Sequence, residues 1–220
     1  MIKRFLLPLL FLTFSFVASA NEVALDNEKI PADRASVLRG AEHVVNSCVA
    51  CHSLKYIKYS DLLELGIASK TVDEWRGANP LNSPLAAQMP AEVAAAAFGG
   101  IAPPDLSLTA IARAGGAHYL YSYLLGFTAD AGGETTNRIY PGTRMPDVLG
   151  IATATDARQR AEISVKAKEI AAFLTWAADP HADERKKLGW YVIAYLVFMT
   201  ALLYLWKRQI WSRLNQEKNA

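Results

Sequence analysis

Apolar residues recur at helical spacing in three stretches of the chain, residues 33–47, 107–126 and 156–178. The pattern is clearest in the third stretch, where one helical face carries Ile163, Ala167, Ile170, Leu174 and Ala177. Asp179-Pro180 follows directly. This dipeptide predicts the end of that helix, because a proline disfavours helical backbone geometry at the residue before it. We therefore expect three helices of different lengths in the middle of the chain.

Between these helices lie stretches rich in Gly, Pro and Asn, notably residues 76–90 and 127–150. No convincing alternation of apolar and polar residues predicts a strand. Loops of this length in a compact domain need something to pack against, and a cofactor would supply that surface. The sequence therefore predicts one small, mainly α domain with long ordered loops.

The N-terminal end has the pattern of an export signal. Residues 1–20 begin with the basic Lys3 and Arg4, continue with a short apolar run, and finish with Ala18-Ser19-Ala20. A basic start, an apolar centre and small residues at the end are typical of a cleaved signal. A retained transmembrane helix is the alternative, but the apolar run is short for that. We expect cleavage after Ala20.

The C-terminal end has the pattern of a membrane anchor. Residues 188–206 are nineteen residues without a charge, which at 1.5 Å per residue nearly match a hydrocarbon core of roughly 30 Å. Aromatic residues near both ends of this stretch suit the membrane interfaces. A buried core helix would need a much larger domain around it. Basic residues flank the stretch on both sides, so the export signal decides the orientation, with the domain outside. The predicted division is a signal at 1–20, a periplasmic domain at 21–184, a basic connector at 185–187, the anchor at 188–206 and a basic cytoplasmic tail at 207–220.

Charge is distributed unevenly along the 220 residues, although the net charge is only +2. Residues 21–184 hold 14 Lys and Arg against 20 Asp and Glu, a net charge of −6. Residues 185–220 hold 7 basic residues against one acidic residue, a net charge of +6. An acidic domain surface would attract a basic partner protein by long-range electrostatics. A surface that serves only solubility is the alternative.

The two cysteines of the chain lie in one motif, Cys48-Val49-Ala50-Cys51-His52. C-x-x-C-H is the signature of c-type haem attachment. Two thiols at this spacing on a helical turn can each bond one haem vinyl group, and the adjacent histidine can then reach the iron. A redox dithiol, a structural disulfide and half of a zinc site are the alternatives. A dithiol would not need His52, and zinc would need further ligands. The motif therefore predicts one covalent haem c.

The second axial ligand decides what such a haem does, because methionine ligation raises the reduction potential and an open site permits gas binding. Met1 leaves with the signal and Met199 lies in the anchor, so Met89 and Met145 are eligible. Both precede a proline. Met145 lies in the loop before the last domain helix, where a chain closing over the second haem face is expected. Met89, a histidine or no protein ligand are the alternatives. We expect surface or hydrogen-bonding roles for His43, His118 and His181.

Haem propionates are anionic and usually meet arginine or tyrosine. Arg113, which follows the Pro103-Pro104 turn, is the best placed candidate for this contact. An ordinary surface arginine is the alternative at this position.

Four stretches of the chain carry distinctive motifs. They are residues 39–56 around the C-x-x-C-H motif, residues 102–119 with APPDLS, the later arginine, GG and tyrosine, residues 140–146 with YPG and the Met-Pro pair, and residues 173–187 with FLTWAADP and the basic run. In these stretches the chain resembles cytochrome c1, the haem subunit of the cytochrome bc complex (ubiquinol–cytochrome c reductase). The anchor helix follows in the order typical of the family. The likeness therefore covers nearly the whole mature chain.

This resemblance implies a cytochrome c-like haem domain with long loops and one C-terminal transmembrane helix. Cysteines 48 and 51 would bond the haem, the motif histidine and the later methionine would be its axial ligands, a proline would pack beside it, and an arginine and a tyrosine would lie near the propionates. The implied site residues are Cys48, Cys51, His52, Met145, Pro104, Arg113 and Tyr119. The chain departs from the family at residues 76–101 and in the short segment before the methionine, TTNRIYPGTR.

The resemblance also implies a function, electron transfer within a quinol–cytochrome c reductase of the bacterial inner membrane. The expected partners are the cytochrome b subunit, a Rieske iron–sulfur protein as donor, a soluble or membrane-bound cytochrome c as acceptor, and membrane lipid. No nucleic acid partner and no independent turnover are expected.

Two other functions are weighed against this one. A free-standing tethered shuttle cytochrome would need a flexible polar linker, whereas the connection from Trp176 to Leu188 is short and charged. A haem-based sensor would need an open or readily displaced sixth ligand.

Overall fold

A computed structural model describes residues 23–219, with side chains up to residue 214. The predicted export signal lies outside the described residues. The helices in chain order are α1 (Arg34–His43), α2 (Tyr59–Leu65), α3 (Ser69–Arg76), α4 (Ala91–Ala97), α5 (Thr109–Ala112), α6 (Ala117–Leu124), α7 (Ala157–Ala178) and α8 (Ala182–Asn219). The strands are β1 (Leu54–Lys58), β2 (Pro84–Leu85), β3 (Phe127–Ala129) and β4 (Thr135–Asn137). They form two antiparallel pairs, β1 with β2 and β3 with β4.

The mainly α fold class is confirmed, together with two of the three predicted helices. Helix α1 continues into a π-helical turn, Val44–Cys48, and α7 matches the third predicted helix. The prediction of one helix over residues 107–126 was wrong. Gly115 and Gly116 have φ values of 87° and 54°, in a region that glycine adopts at little cost, and they separate α5 from α6. The strands also went unpredicted, because segments of two to five residues are too short to display an alternating pattern.

The centre of the domain is the contact between α1 and α7. Val44, at the end of α1, and Phe173 of α7 are fully buried there. The two helices approach each other closely at Gly40, where an added Cβ atom would lie 2.0 Å from the carbonyl oxygen of Glu169 and 2.9 Å from the Cβ of Phe173. The packing of this helix pair therefore depends on a residue without a side chain.

A buried carboxylate links the same two helices. The side chain of Glu169 on α7 is only 7% exposed, and its oxygens lie 2.6 Å from Nε of Arg39 and 3.1 Å from Nε2 of His43. A buried carboxylate without such partners would be strongly destabilising. Arg39 and His43 therefore stabilise the buried carboxylate of Glu169 at the contact between the two helices.

Replacing Arg39 by methionine is expected to lower the melting temperature of the domain, because it removes one partner of the buried Glu169 and keeps the apolar stem. The matched control is Arg158→Met. Arg158 pairs with Glu162 on the surface of α7, where the side chains are 90% and 61% exposed, and such pairs contribute little. Thermal unfolding of the purified variants followed by circular dichroism compares them. Equal decreases in melting temperature in Arg39→Met and Arg158→Met would show that the burial of Glu169 does not determine how much its ion pair stabilises the domain.

The last helix, α8, is long and apolar enough to cross a membrane. Its stretch Ala182–Leu214 contains a window of mean hydropathy 1.9 with none of that window buried in the structure. The predicted connector, anchor and most of the predicted tail lie in this single helix. Only three residues separate it from α7. Both terminal nitrogens of Arg185 contact the carboxylate of Asp179 in that connection, and these hydrogen bonds hold the pKa of Asp179 below its usual value.

Candidate functional site

A cavity of about 430 Å³ opens between the Cys48–His52 turn, the loop before α5, helix α6, the loop before α7 and α7 itself. This volume lies in the range of sites for small molecules and cofactors. Its lining is predominantly apolar. The lining includes all seven site residues proposed from the sequence, namely Cys48, Cys51, His52, Pro104, Arg113, Tyr119 and Met145.

The cysteine motif forms a tight turn just after α1. The backbone N–H groups of Cys51 and His52 both donate to the carbonyl oxygen of Cys48, at 3.1 and 2.8 Å. The π-helical turn before it is closed by the N–H of Val49, which donates to the carbonyl of Val44 at 3.0 Å. This geometry brings the two thiols and the imidazole to one wall of the cavity. The thiols are free in the structure.

The environment of Cys48 discriminates between the chemistries that the motif allows. Burial, with a smaller effect of Cys51, raises the pKa of the Cys48 thiol to about 11. Dithiol exchange needs a thiolate, which burial disfavours at Cys48. A thioether carries no charge and suits such surroundings. In the described part of the chain, no group of three or more His, Cys, Asp or Glu residues is arranged to hold a metal ion.

The ring of His52 has a fixed orientation. Its Nδ1 lies 2.6 Å from the carbonyl oxygen of Pro104, and because a carbonyl can only accept, Nδ1 carries the proton. Burial lowers the pKa of His52, which favours the neutral ring. Nε2 then keeps its lone pair free for a metal. Histidine ligands in proteins are commonly oriented through the other ring nitrogen in this way.

The loop that supplies the Pro104 carbonyl is fastened to the residues after the motif. The N–H of Leu106 donates to the carbonyl of Ser53 at 2.9 Å. The N–H of Lys55 donates to the carboxylate of Asp105 at 2.9 Å, and the N–H of Tyr56 donates to the hydroxyl of the buried Ser107 at 3.1 Å. Two sequence stretches that carry the resemblance separately are therefore one unit in the fold.

The two candidate methionines have different surroundings. Met145 lines the cavity and packs against both clusters of buried apolar residues. Met89 is not among the residues that line the cavity, and its N–H donates to the carbonyl of Ala50 in the cysteine turn at 3.0 Å. The arrangement therefore favours Met145 as the methionine that faces a cofactor in the cavity.

Positive charge enters the cavity through two arginines, and the described lining contains no Asp or Glu. The guanidinium of Arg113 lies 5.7 Å from the ring centroid of Tyr119. Arg144, next to Met145, is the second arginine, and it was not predicted from the sequence. Its only sequence signal was its position beside a candidate ligand. An apolar cavity with two cationic side chains suits a largely apolar ligand that carries anionic groups.

These features together fit a haem. The thiols of Cys48 and Cys51, an imidazole with a free Nε2, a thioether sulfur and two arginines all line one predominantly apolar cavity.

Comparisons with known proteins agree with this geometry. A model of the family described as the Cytochrome C1 family matches residues 30–90 and 74–214. Cytochrome c1 of Rhodospirillum rubrum is 30% identical, over 81% of this chain and 82% of its own length. The ammonia monooxygenase gamma subunit of Nitrosomonas europaea is also 30% identical, over 98% of this chain and 99% of its own. Cytochrome b/c1 of Bradyrhizobium diazoefficiens is 28% identical over 82% of this chain and 33% of its own length.

Proposed function

The chain belongs to the cytochrome c1 family, and we propose that it carries one covalently attached haem c and transfers electrons as the cytochrome c1 subunit of a quinol–cytochrome c reductase. A bound haem supplies a one-electron redox centre. The observation that carries the proposal is that Cys48, Cys51, His52 and Met145 line one and the same apolar cavity.

Each residue of the cavity has a distinct role in this proposal. Cys48 and Cys51 form the thioether bonds. His52 and Met145 would ligate the iron, and the Pro104 carbonyl holds the imidazole through Nδ1 in the tautomer that leaves Nε2 free for a metal. In addition, Arg113 and Tyr119, which both line the cavity, would receive the anionic propionates. A neutral sulfur ligand in apolar surroundings favours the reduced state and hence a high potential.

The proposed setting is the bacterial inner membrane. The chain is anchored by α8, and the proposal puts the haem domain in the periplasm and the C-terminus in the cytoplasm. The export pattern of residues 1–20 supports this orientation. The three-residue connection to α8 and the Asp179–Arg185 contact support a fixed domain, as expected in a complex, and disfavour a free shuttle.

The proposed partners follow from the family. A cytochrome b subunit lies beside α8 in the lipid, a Rieske iron–sulfur protein is the electron donor, and a soluble or membrane-bound cytochrome c is the acceptor. The name of the Bradyrhizobium relative joins cytochromes b and c1 in one protein. The net charge of −6 on residues 21–184 supports electrostatic attraction of a basic acceptor. Turnover requires the complex.

The proposal predicts that the tagged protein, purified from its own membranes in a mild detergent, brings a multi-haem b-type subunit and a Rieske protein with it. Mass spectrometry and the visible spectrum of the purified material identify them. A tagged, unrelated single-span protein from the same membranes is the control. Recovery of a lone c-type haem protein would instead support the free-standing tethered shuttle.

A further inference from the structure

The loop that carries Met145 is fastened to α6 by one hydroxyl pair. The hydroxyl of Tyr123 on α6 and Oγ1 of Thr143 lie 2.5 Å apart. The same Oγ1 accepts the backbone N–H of Met145 at 3.2 Å. All three residues line the cavity. A continuous hydrogen-bonded path therefore runs from a helix of the domain to the backbone of the methionine.

Tyr123 is itself held rigidly. Its ring meets Phe127 edge-on with centroids 5.7 Å apart, and it stacks on Tyr119 with centroids 6.1 Å apart. Its carbonyl oxygen accepts the side-chain N–H of the fully buried Asn137 at 2.8 Å. Burial raises the pKa of the Tyr123 phenol, so that the hydroxyl keeps its proton.

The same framework also fixes the start of the methionine loop. The side-chain oxygen of Asn137 accepts the N–H groups of Ile139 and Tyr140, at 2.9 and 3.3 Å. The N–H of Thr143 in turn donates to the carbonyl of Tyr140 at 3.0 Å. The chain has two cysteines, both in the C-x-x-C-H motif, so a disulfide cannot hold this loop. Its position depends on these hydrogen bonds and on packing.

We propose that Tyr123 is a positioning residue for the sixth haem ligand, and that its hydroxyl acts through Thr143 to hold Met145 at the cavity. The inference rests on the proposed function, since it requires Met145 as a ligand of the haem iron. In the haem-loaded protein, Met145 would exchange between a position bound to the iron and a detached position. The Tyr123–Thr143 contact stabilises the bound form, because it fixes the backbone two residues before the sulfur-bearing side chain.

Imidazole is a suitable probe, because it binds the ferric iron only when the methionine is detached, and its apparent affinity reports the detached fraction. Tyr123→Phe removes the hydroxyl and keeps the ring that packs on Phe127. Loss of one such hydrogen bond is expected to raise the detached fraction, and with it the imidazole affinity, about tenfold. The methionine–iron charge-transfer band weakens and the reduction potential falls in parallel. The measurement is an optical titration of the full-length ferric protein in detergent.

The matched control is Tyr121→Phe. Tyr121 lies on the same helix, is buried, and its hydroxyl is 2.8 Å from Oγ of Ser164 on α7. This variant loses an equivalent hydrogen bond elsewhere, so it is expected to lower stability and leave the imidazole affinity at the native value. An equal rise in imidazole affinity in Tyr121→Phe and Tyr123→Phe would overturn the inference, because it would mean that any loss of domain stability detaches the methionine.

Two variants at Thr143 test the path from the other side. Thr143→Ser keeps the oxygen and is expected to bind imidazole like the native protein. Thr143→Val removes both hydrogen bonds of that oxygen and is expected to raise the imidazole affinity at least as much as Tyr123→Phe does. Suppose that Thr143→Val and Tyr123→Phe bind imidazole with the native affinity, while Met145→Ala binds it more tightly. This result would overturn the role of Tyr123 and leave the proposed function intact. Native affinity in Met145→Ala as well would show that Met145 is not the ligand, and both the ligand assignment and this inference would fail.

Discussion

Met145→Ala is expected to lower the reduction potential by on the order of 0.2 V, a part of the ~0.8 V that axial ligands span in haem proteins. Met145 is the methionine that lines the cavity, and alanine offers no ligand in its place. The reduced variant is also expected to bind carbon monoxide, because the sixth position becomes open. A redox titration in detergent and a carbon monoxide difference spectrum measure the two effects.

Met89→Ala is the matched control for this experiment. Met89 is also followed by proline and is half-buried, but its backbone N–H donates to Ala50 and it does not line the cavity. Its removal is expected to leave the potential and the inertness to carbon monoxide unchanged. The reverse result, with a large fall in potential for Met89→Ala alone, would transfer the ligand role to Met89. Rapid carbon monoxide binding by the native protein would favour a haem-based sensor.

Gly40→Ala is expected to lower the free energy of unfolding by about 2 kcal/mol, because overpacking a closely packed core costs up to about 3 kcal/mol. The added methyl group would lie 2.0 Å from a backbone oxygen of α7 and 2.9 Å from the Cβ of Phe173. Neither atom can rotate away, so the two helices must separate. Alanine favours a helix over glycine by about 1 kcal/mol, which offsets only part of this cost. Because Ile170 and Leu174 on α7 also line the cavity, we expect a lower yield of haem-loaded protein as well.

Gly189→Ala is the control for the helix propensity alone, since nothing lies within 4 Å of a Cβ atom at Gly189 in α8. It is expected to leave the unfolding of the domain unchanged. Denaturant titrations of both variants in the same detergent compare them. A Gly40→Ala variant as stable as the native protein would mean that α1 and α7 can shift apart without loss of packing.

The sequence predicted the long elements well, for a physical reason. Helix α7 is 22 residues long and α8 is 38, so their periodicity or unbroken apolar character is visible without any tertiary information. Helices α2 and α3 have 7 and 8 residues, about two turns each, and their short apolar patterns do not stand out from loop sequence.

In the candidate site, too, the sequence predicted what is local in the chain and missed what only the fold brings together. The cysteines and His52 are adjacent in the sequence, so their motif could be interpreted directly. In contrast, the choice between Met89 and Met145 could not be made from local chemistry, because both stand before a proline. The Tyr123–Thr143 contact joins residues 20 positions apart, and the contact of His43 with Glu169 joins residues 126 positions apart. Such pairs depend on how α6 and α7 are placed in the fold, which a single sequence does not reveal.

Because α8 begins at the end of the domain and continues as the anchor, the number of residues in this helix sets the rotation of the domain about the anchor. Each residue added to a helix rotates one end against the other by about 100° and separates the two ends by about 1.5 Å more. One residue inserted near the start of α8, just after the Asp179–Arg185 contact, would therefore turn the whole domain by more than a quarter of a circle about the anchor and hardly change its height. Seven inserted residues would nearly restore the facing and raise the domain by about 10 Å. The direction in which the cavity faces a membrane neighbour is therefore encoded in the phase of this helix, separately from every contact inside the domain.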